Sequence, residues 1–184
     1  MNNITYFYII FSCFFILYIY FKSFNLIKHT DNNNNLYYTR KTHKSKALSI
    51  LILLKKFIIK LSNILIKNNP NNKYLINNLK KNIIIKELPK KYTKHISYLY
   101  NNNTIYICLR NTTNIFEKNI NDLYFIIMHE LAHIITKNKG HGKEYWNNNK
   151  LIINTAIKYK LYKYKNYNKN PTYICNKIIN STPI

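Results

Sequence analysis

Two histidines and a glutamate at the spacing of a metal-dependent hydrolase lie within one mostly apolar stretch of the chain. On a helix, His129 and His133 project from the same face about one turn apart, so both imidazoles can bind a single Zn²⁺. Glu130 lies beside them, where its carboxylate can act as general base toward an attacking water. This stretch therefore predicts a buried catalytic helix, with His129 and His133 as zinc ligands and Glu130 as the catalytic base.

The third ligand is predicted to come from the short segment that follows this helix. The chain has two glycines, Gly140 and Gly142, and they flank His141. We expect the helix to begin near residues 121–122 and to end around residues 137–139, with Gly140 reversing the chain after it. That reversal would bring His141 back to the metal. Three histidines would leave a fourth position open for water, as in a catalytic zinc site.

The residues that follow His141 are expected to compete with it or to support it. Glu144 is the alternative third ligand, but we favour His141, because a neutral ligand leaves zinc more electrophilic than a carboxylate does. Tyr145 and Trp146 are expected to lie beneath the loop, with Trp146 as a core anchor that holds it in place. Tyr145 and His95 are the candidates for stabilising an oxyanion.

The composition describes one basic domain with an appendage. The chain has 184 residues and a formal net charge of +23, from 29 Lys and Arg against six acidic residues. This charge suits nucleic acid or anionic lipid, although the spread of the lysines and the abundance of Asn, Ile and Tyr equally fit an AT-rich genome. Cys13, Cys108 and Cys175 show no paired spacing, so we expect a reducing compartment and no disulfide. Nothing in the sequence supports Cys175 as a fourth metal ligand.

Residues 1–24 are predicted to form a transmembrane anchor. Residues 4–21 are an uncharged apolar run that reaches the length of a spanning helix, and they lack the basic start and small-residue cleavage site of a signal peptide. Lysine and arginine follow this run and none precedes it, so the positive-inside rule predicts a single-pass protein with its C-terminal domain facing the cytoplasm. The polar segment of residues 25–45 is interpreted as a tether.

Residues 46–165 have the pattern of an α+β domain, and residues 166–184 form a tail packed on it or extending from it. Polar residues at helical spacing predict an amphipathic helix over 47–67, either a core helix packed on the metal-binding helix or a membrane-surface helix. Strand-like segments at 83–87, 95–100 and 104–109 predict a small antiparallel sheet, whose edge could bind an extended peptide. Further helices are expected from residue 69 to 81 and from 143 to 159.

The segment from His129 to Trp146 resembles the WLM (Wss-like metallopeptidase) and SprT-like zincins. Those families share H-E-x-x-H, a short loop, a third histidine and an aromatic residue shortly after it. From Ser97, through residues 107–110 to the tail at 171–175, the chain looks most like small membrane-anchored WLM-like proteins of large DNA viruses. The likeness covers residues 48–184.

This resemblance implies a minimal zincin-like metallopeptidase fold that binds Zn²⁺ through His129, His133 and His141, with Glu130 as the base. It also implies a protein substrate. WLM and SprT-like proteases cleave proteins crosslinked to DNA, so the resemblance implies a DNA-associated protein as one class of substrate.

Together these features predict a membrane-anchored, zinc-dependent metallopeptidase. One alternative is a basic, membrane-anchored binding protein with a structural or vestigial zinc site, which would recruit nucleic acid or anionic membrane by charge. Glu130 favours the enzyme, because a structural zinc site has no use for that carboxylate. The other alternative is a zinc hydrolase with a different substrate.

Overall fold

A computed structural model describes residues 6, 8, 10–14, 26–92, 95–175 and 177–183 of the chain. Its strands and helices form an α+β domain, as predicted. The strands are β1 Ile27–Thr30, β2 Leu36–Thr39, β3 Ile84–Glu87, β4 Ser97–Tyr100, β5 Thr104–Ile107, β6 Thr172–Ile174 and β7 Lys177–Ile179. The helices are α1 Lys44–Asn68, α2 Lys73–Leu79, α3 Ile120–Ile134 and α4 Lys143–Lys158.

The first five strands form one mixed sheet in the order β1-β2-β3-β5-β4. The β1–β2 and β4–β5 pairs are antiparallel, whereas β2–β3 and β3–β5 are parallel. The prediction of a purely antiparallel sheet is therefore wrong. Helices α1 and α2 connect β2 to β3, which is the kind of crossover that parallel neighbours require. Strand β4 lies at the edge of the sheet.

The predicted hairpin is present as β4 and β5, and its turn explains why asparagines at this position predicted a hairpin. Asn101 and Asn102 adopt φ of 48° and 55°, in the left-handed region that asparagine tolerates better than most residues. The pairing places Tyr98 opposite Tyr106, and their rings stack with centroids 4.6 Å apart. This hairpin carries Ser97 to α3, the helix with His129 and His133.

The segment of residues 25–45 was expected to be a tether, but it contributes two strands to the sheet. Tyr37 is 1% exposed, and its hydroxyl donates to Asp31 at 2.9 Å. Asp31 also accepts from the backbone N–H groups of Asn33 and Asn35, each at 2.9 Å. The asparagine-rich stretch is thus a turn closed by Asp31, and the short strand after it alternates buried and half-buried residues.

Helix α1 is the predicted amphipathic helix, and it belongs to the core. Its apolar stripe is buried, with Leu51, Leu54, Ile58, Leu61 and Leu65 essentially inaccessible. Phe57 stacks on Tyr124 of α3 with ring centroids 4.1 Å apart. This contact joins α1 to the helix that carries the histidines, which favours the core interpretation over a membrane-surface helix.

The predicted membrane anchor falls mainly outside the described residues. Within residues 1–24 the structure describes only 6, 8 and 10–14, which are helical and exposed. In the part of the chain that is described, no helix combines the length and the apolar character needed to cross a bilayer. The anchor and its orientation stay predictions.

Cys108 and Cys175 form a disulfide, which corrects the expectation of unpaired cysteines. Cys108 follows β5 and Cys175 follows β6, with Cα atoms 6.3 Å apart and a sequence separation of 67. Two cysteines this far apart have no sequence spacing that predicts a disulfide, because only the folded sheet brings the two thiols together. The bond also rules out Cys175 as a metal ligand in this structure.

The tail is packed on the domain rather than extending from it. Tyr167 is fully buried, and its hydroxyl donates to Asp122 of α3 at 2.7 Å. Ile174 is buried as well. The disulfide thus closes an arrangement that side chains of the core already hold.

Replacing Cys108 and Cys175 together by serine should lower the free energy of unfolding by about 4 kcal/mol. A closed loop of 67 residues removes about this much conformational entropy from the unfolded chain at room temperature. Denaturant unfolding of the oxidised protein and of the double variant measures the difference. Cys13→Ser is the control, since Cys13 is a free, exposed thiol, and it should leave stability unchanged. Equal stability of the double variant and the wild type would contradict the prediction.

Candidate metal centre

The three predicted histidines converge in space. One ligand nitrogen from each of His129, His133 and His141 lies within 4.8 Å of the others, and the Nε2 atoms of His129 and His141 are 3.3 Å apart. Tetrahedral zinc with nitrogens at about 2.0–2.1 Å places pairs of nitrogens roughly 3.3 Å apart. The donor set therefore fits Zn²⁺, and within the described residues it is the one His/Cys/Asp/Glu group that could hold a metal ion.

Helix α3 presents two of these histidines and then ends earlier than predicted. It begins after Asn119, whose side chain accepts the N–H of Asn121, and it ends at Ile134 rather than at residues 137–139. Asn148 of α4 donates to the carbonyl of Ile135 at 3.1 Å, so a side chain takes up one of the carbonyls left open by the helix end. The early end leaves a longer loop with which to bring His141 back.

The loop uses one of its glycines for a conformation that other residues rarely adopt. Gly140 has φ of +93°, whereas Gly142, which precedes α4, has an ordinary φ of −70°. Glu144 is half-buried and accepts the backbone N–H of Lys137 at 3.3 Å, so it ties α4 to the start of the loop. The structure thus places His141, and not Glu144, beside the other two histidines.

Tyr145 lies behind His129 rather than in the cleft, so its expected contribution to an oxyanion site is wrong. It is fully buried, and its hydroxyl is 2.6 Å from Nδ1 of His129. Asn149, one turn further along α4, donates to the same hydroxyl at 3.2 Å. A hydrogen-bond partner at Nδ1 fixes the His129 ring so that its Nε2 faces His141. This position is compatible with the supporting role that the sequence predicted for Tyr145.

Trp146 is not the core anchor that the sequence suggested. It is 43% exposed, because Tyr145 occupies the inward position and the next residue on a helix points about 100° away. Its ring centroid is nevertheless 5.8 Å from that of His141. Trp146 therefore flanks the third histidine from the solvent side.

Glu130 is almost completely buried beside the histidines, and Ser97 holds it. The Ser97 hydroxyl donates to Oε1 of Glu130 at 2.6 Å, a contact between β4 and α3 that sequence reasoning missed. Burial raises the pKa of Glu130 to about 7, and the hydrogen bond from Ser97 opposes that rise. A pKa near neutrality suits a group that must both accept and release a proton.

The surroundings of His129 and His133 keep these two rings neutral. Burial, with a smaller effect of the neighbouring His133 and His141, lowers the pKa of His129 to about 3. Burial and the nearby His141 lower the pKa of His133 to about 4. Metal binding requires neutral imidazole, so these two side chains need no deprotonation at neutral pH.

His95 lines a cavity together with Glu130 and His129. It belongs to the segment just before β4. Its predicted role in stabilising an oxyanion is compatible with this position and stays a prediction.

Tyr145→Phe should weaken zinc binding by roughly 10- to 100-fold without unfolding the protein, because loss of an outer-shell partner has this effect on metal sites. Competition with a chromophoric chelator measures the affinity, and thermal unfolding of the metal-free protein checks the fold. Tyr159→Phe is the matched control: its hydroxyl bonds Asn68 at the far end of the same helix, and the affinity should not change. An unchanged affinity in Tyr145→Phe would show that the hydroxyl does not orient His129.

Comparison with known proteins gives two structural neighbours. A crystal structure of Wss1 from Saccharomyces cerevisiae is 20% identical, with a TM-score of 0.49, over 66% of this chain and 84% of that chain. A Wss1 mutant has the same identity and TM-score, over 68% of this chain and 92% of that chain. No family model and no curated protein matches the chain. A likeness at this level carries no argument about family or function.

Proposed function

We propose that the protein is a zinc-dependent metallopeptidase of the H-E-x-x-H type. The observation that carries the proposal is the placement of a buried carboxylate, Glu130, directly beside three converging histidines. Three ligands leave one zinc position open, whereas a structural site is closed by four.

The residues around the histidines have separate roles in this proposal. A zinc ion held by His129, His133 and His141 would polarise a carbonyl group and lower the pKa of a water molecule to about 7. Glu130 would accept a proton from the attacking water and pass it to the leaving amine. Ser97 would orient the carboxylate through its hydrogen bond to Oε1.

The surroundings of Glu130 can accept an extended chain. A cavity of about 450 Å³ and another of about 730 Å³ both contain Ser97, His129 and Glu130 in their walls. The proposed catalytic group therefore lies where the two cavities meet. Strand β4, at the edge of the sheet, borders both and could pair with a substrate main chain.

The alternative, a basic binding protein with a structural zinc site, has less support. It gives no reason for a buried carboxylate beside the histidines, with a serine hydroxyl donating to it. The charge of +23 supports a DNA-associated protein as one class of substrate, and that class is a proposal within the peptidase function.

The membrane location is a separate proposal. The apolar run at residues 4–21 and the lysines after it support an anchor with the domain in the cytoplasm. The Cys108–Cys175 disulfide favours the opposite side, since disulfides persist in oxidising compartments. Asn111-Thr112-Thr113 is an acceptor sequence for N-glycosylation, so a glycan at Asn111 in cells would overturn the cytoplasmic orientation.

Metal removal tests the peptidase proposal directly. The purified full chain should contain about one Zn²⁺ and should cleave unfolded casein. A chelator should abolish this cleavage, and stoichiometric Zn²⁺ should restore it. Cleavage that persists without zinc, or a zinc-loaded protein that leaves casein intact, would contradict the proposed function.

A further inference from the structure

The smaller of the two cavities beside Glu130 has a wall that comes from the tail of the chain. Helix α3 contributes Phe125 and Ile126, helix α4 contributes Trp146 and Asn149, and β7 with the residues after it forms another side. The loop that carries His141 lines the larger cavity instead. The tail thus borders the cleft on one side of the proposed catalytic group.

This wall is a fixed part of the domain. The disulfide joins Cys175, just before β7, to Cys108 at the end of β5. The backbone N–H of Cys175 also donates to Glu117 at 2.7 Å. Beyond β7, the hydroxyl of Thr182 accepts the N–H of Tyr167 at 2.8 Å. The tail is therefore held on both sides of the strand that faces the cavity.

The cavity is lined by large apolar side chains, two of which are exposed rather than packed in the core. Trp146 is 43% exposed and Ile178 is 47% exposed, and both line the same concavity as the buried Phe125 and Ile126. Large apolar side chains gathered in a concave site are typical of ligand pockets.

One buried polar atom at this cavity also lacks a partner. Asn149 is 2% exposed and donates through Nδ2 to Tyr145, but its Oδ1 has no hydrogen-bond partner among the described residues. A buried acceptor left unpaired is costly, so it indicates a donor that arrives with a ligand.

We propose that this cavity binds a bulky apolar side chain of the peptide substrate, next to the bond that is cleaved. This inference rests on the proposed peptidase function and adds the class of residue that the enzyme selects. A volume of about 450 Å³ accommodates a side chain such as leucine or phenylalanine with part of its main chain. Asn149 Oδ1 accepts a hydrogen bond from the main-chain N–H of the bound residue.

Peptide binding tests the subsite without requiring cleavage. Trp146 is the one tryptophan of the chain and lines the cavity, so its fluorescence reports occupancy. The zinc-loaded full chain with Glu130→Gln is titrated with two blocked Gly-Ser hexapeptides, one with a central leucine and one with aspartate there. The leucine peptide should change Trp146 emission and bind at least about tenfold more tightly.

Matched variants identify the wall of the cavity. Ile178→Asp should reduce the preference for leucine by about tenfold. Ile115→Asp is the control, because Ile115 is 61% exposed and lies outside this cavity, and it should leave the preference unchanged. Equal binding of the two peptides, or an Ile178→Asp protein with the wild-type preference, would overturn the subsite.

Cleavage separates a failure of the subsite from a failure of the function. With Glu130 intact, cut sites in unfolded casein should carry a bulky apolar residue at one fixed position beside the cut, and Ile178→Asp should remove this enrichment. Zinc-dependent cleavage without any such enrichment overturns the subsite alone. Selective leucine-peptide binding with no cleavage by the wild type supports the subsite and overturns the peptidase function.

Discussion

Glu130→Gln should lower kcat/KM for peptide-bond cleavage by about 10²- to 10⁴-fold, the usual contribution of a general base. The amide has the size of the carboxylate and can still accept the hydrogen bond from Ser97, but it cannot take a proton from water. Burial already disfavours the charged form of Glu130, so the neutral amide should not destabilise the fold. Casein cleavage and zinc content, measured on the same preparation, give the two readouts.

The zinc content separates a lost base from a lost metal site. Glu130→Gln should keep the wild-type zinc content, since the three histidines are unchanged. Glu144→Gln is the matched control at a carboxylate in the first turn of the neighbouring helix, and it should keep most of the activity. A Glu130→Gln protein that cleaves casein at the wild-type rate would remove Glu130 from the mechanism.

His141→Ala should weaken zinc binding by more than about 100-fold, exceeding the usual effect of an outer-shell partner, and should abolish cleavage. Two helical histidines alone leave too few donors for a tight site. The Nε2 atoms of His141 and His129 are 3.3 Å apart, which is the separation that one tetrahedral metal ion requires. Metal analysis after dialysis and chelator competition measure the loss.

Glu144→Ala is the decisive comparison for the third ligand. Glu144 accepts a hydrogen bond from Lys137 at the start of the loop, so its removal should loosen that loop while the zinc stays bound. Zinc that survives His141→Ala but is lost from Glu144→Ala would assign the third ligand to the glutamate and would refute the histidine assignment.

Structural features that depend only on residues close together in the sequence could be predicted without the structure. His129 and His133 share a helix face because they are four residues apart, and the asparagines at 101 and 102 mark a turn because they tolerate positive φ. The apolar stripe of α1 likewise predicted a buried helix. In each case the local backbone period alone determines which side chains lie together.

Contacts between distant segments were decided only by the tertiary structure. Ser97 reaches Glu130 from another element, Cys108 bonds Cys175 across 67 residues, and β2 in the supposed tether pairs with β3. Such pairs have no fixed spacing, because the connecting segments determine where the elements pack. Even Tyr145, near His141 in the chain, received its role from where α4 lies against α3. Its hydroxyl contacts Nδ1 of His129, while Nε2 of the same ring faces His141, and Trp146 is left exposed beside it.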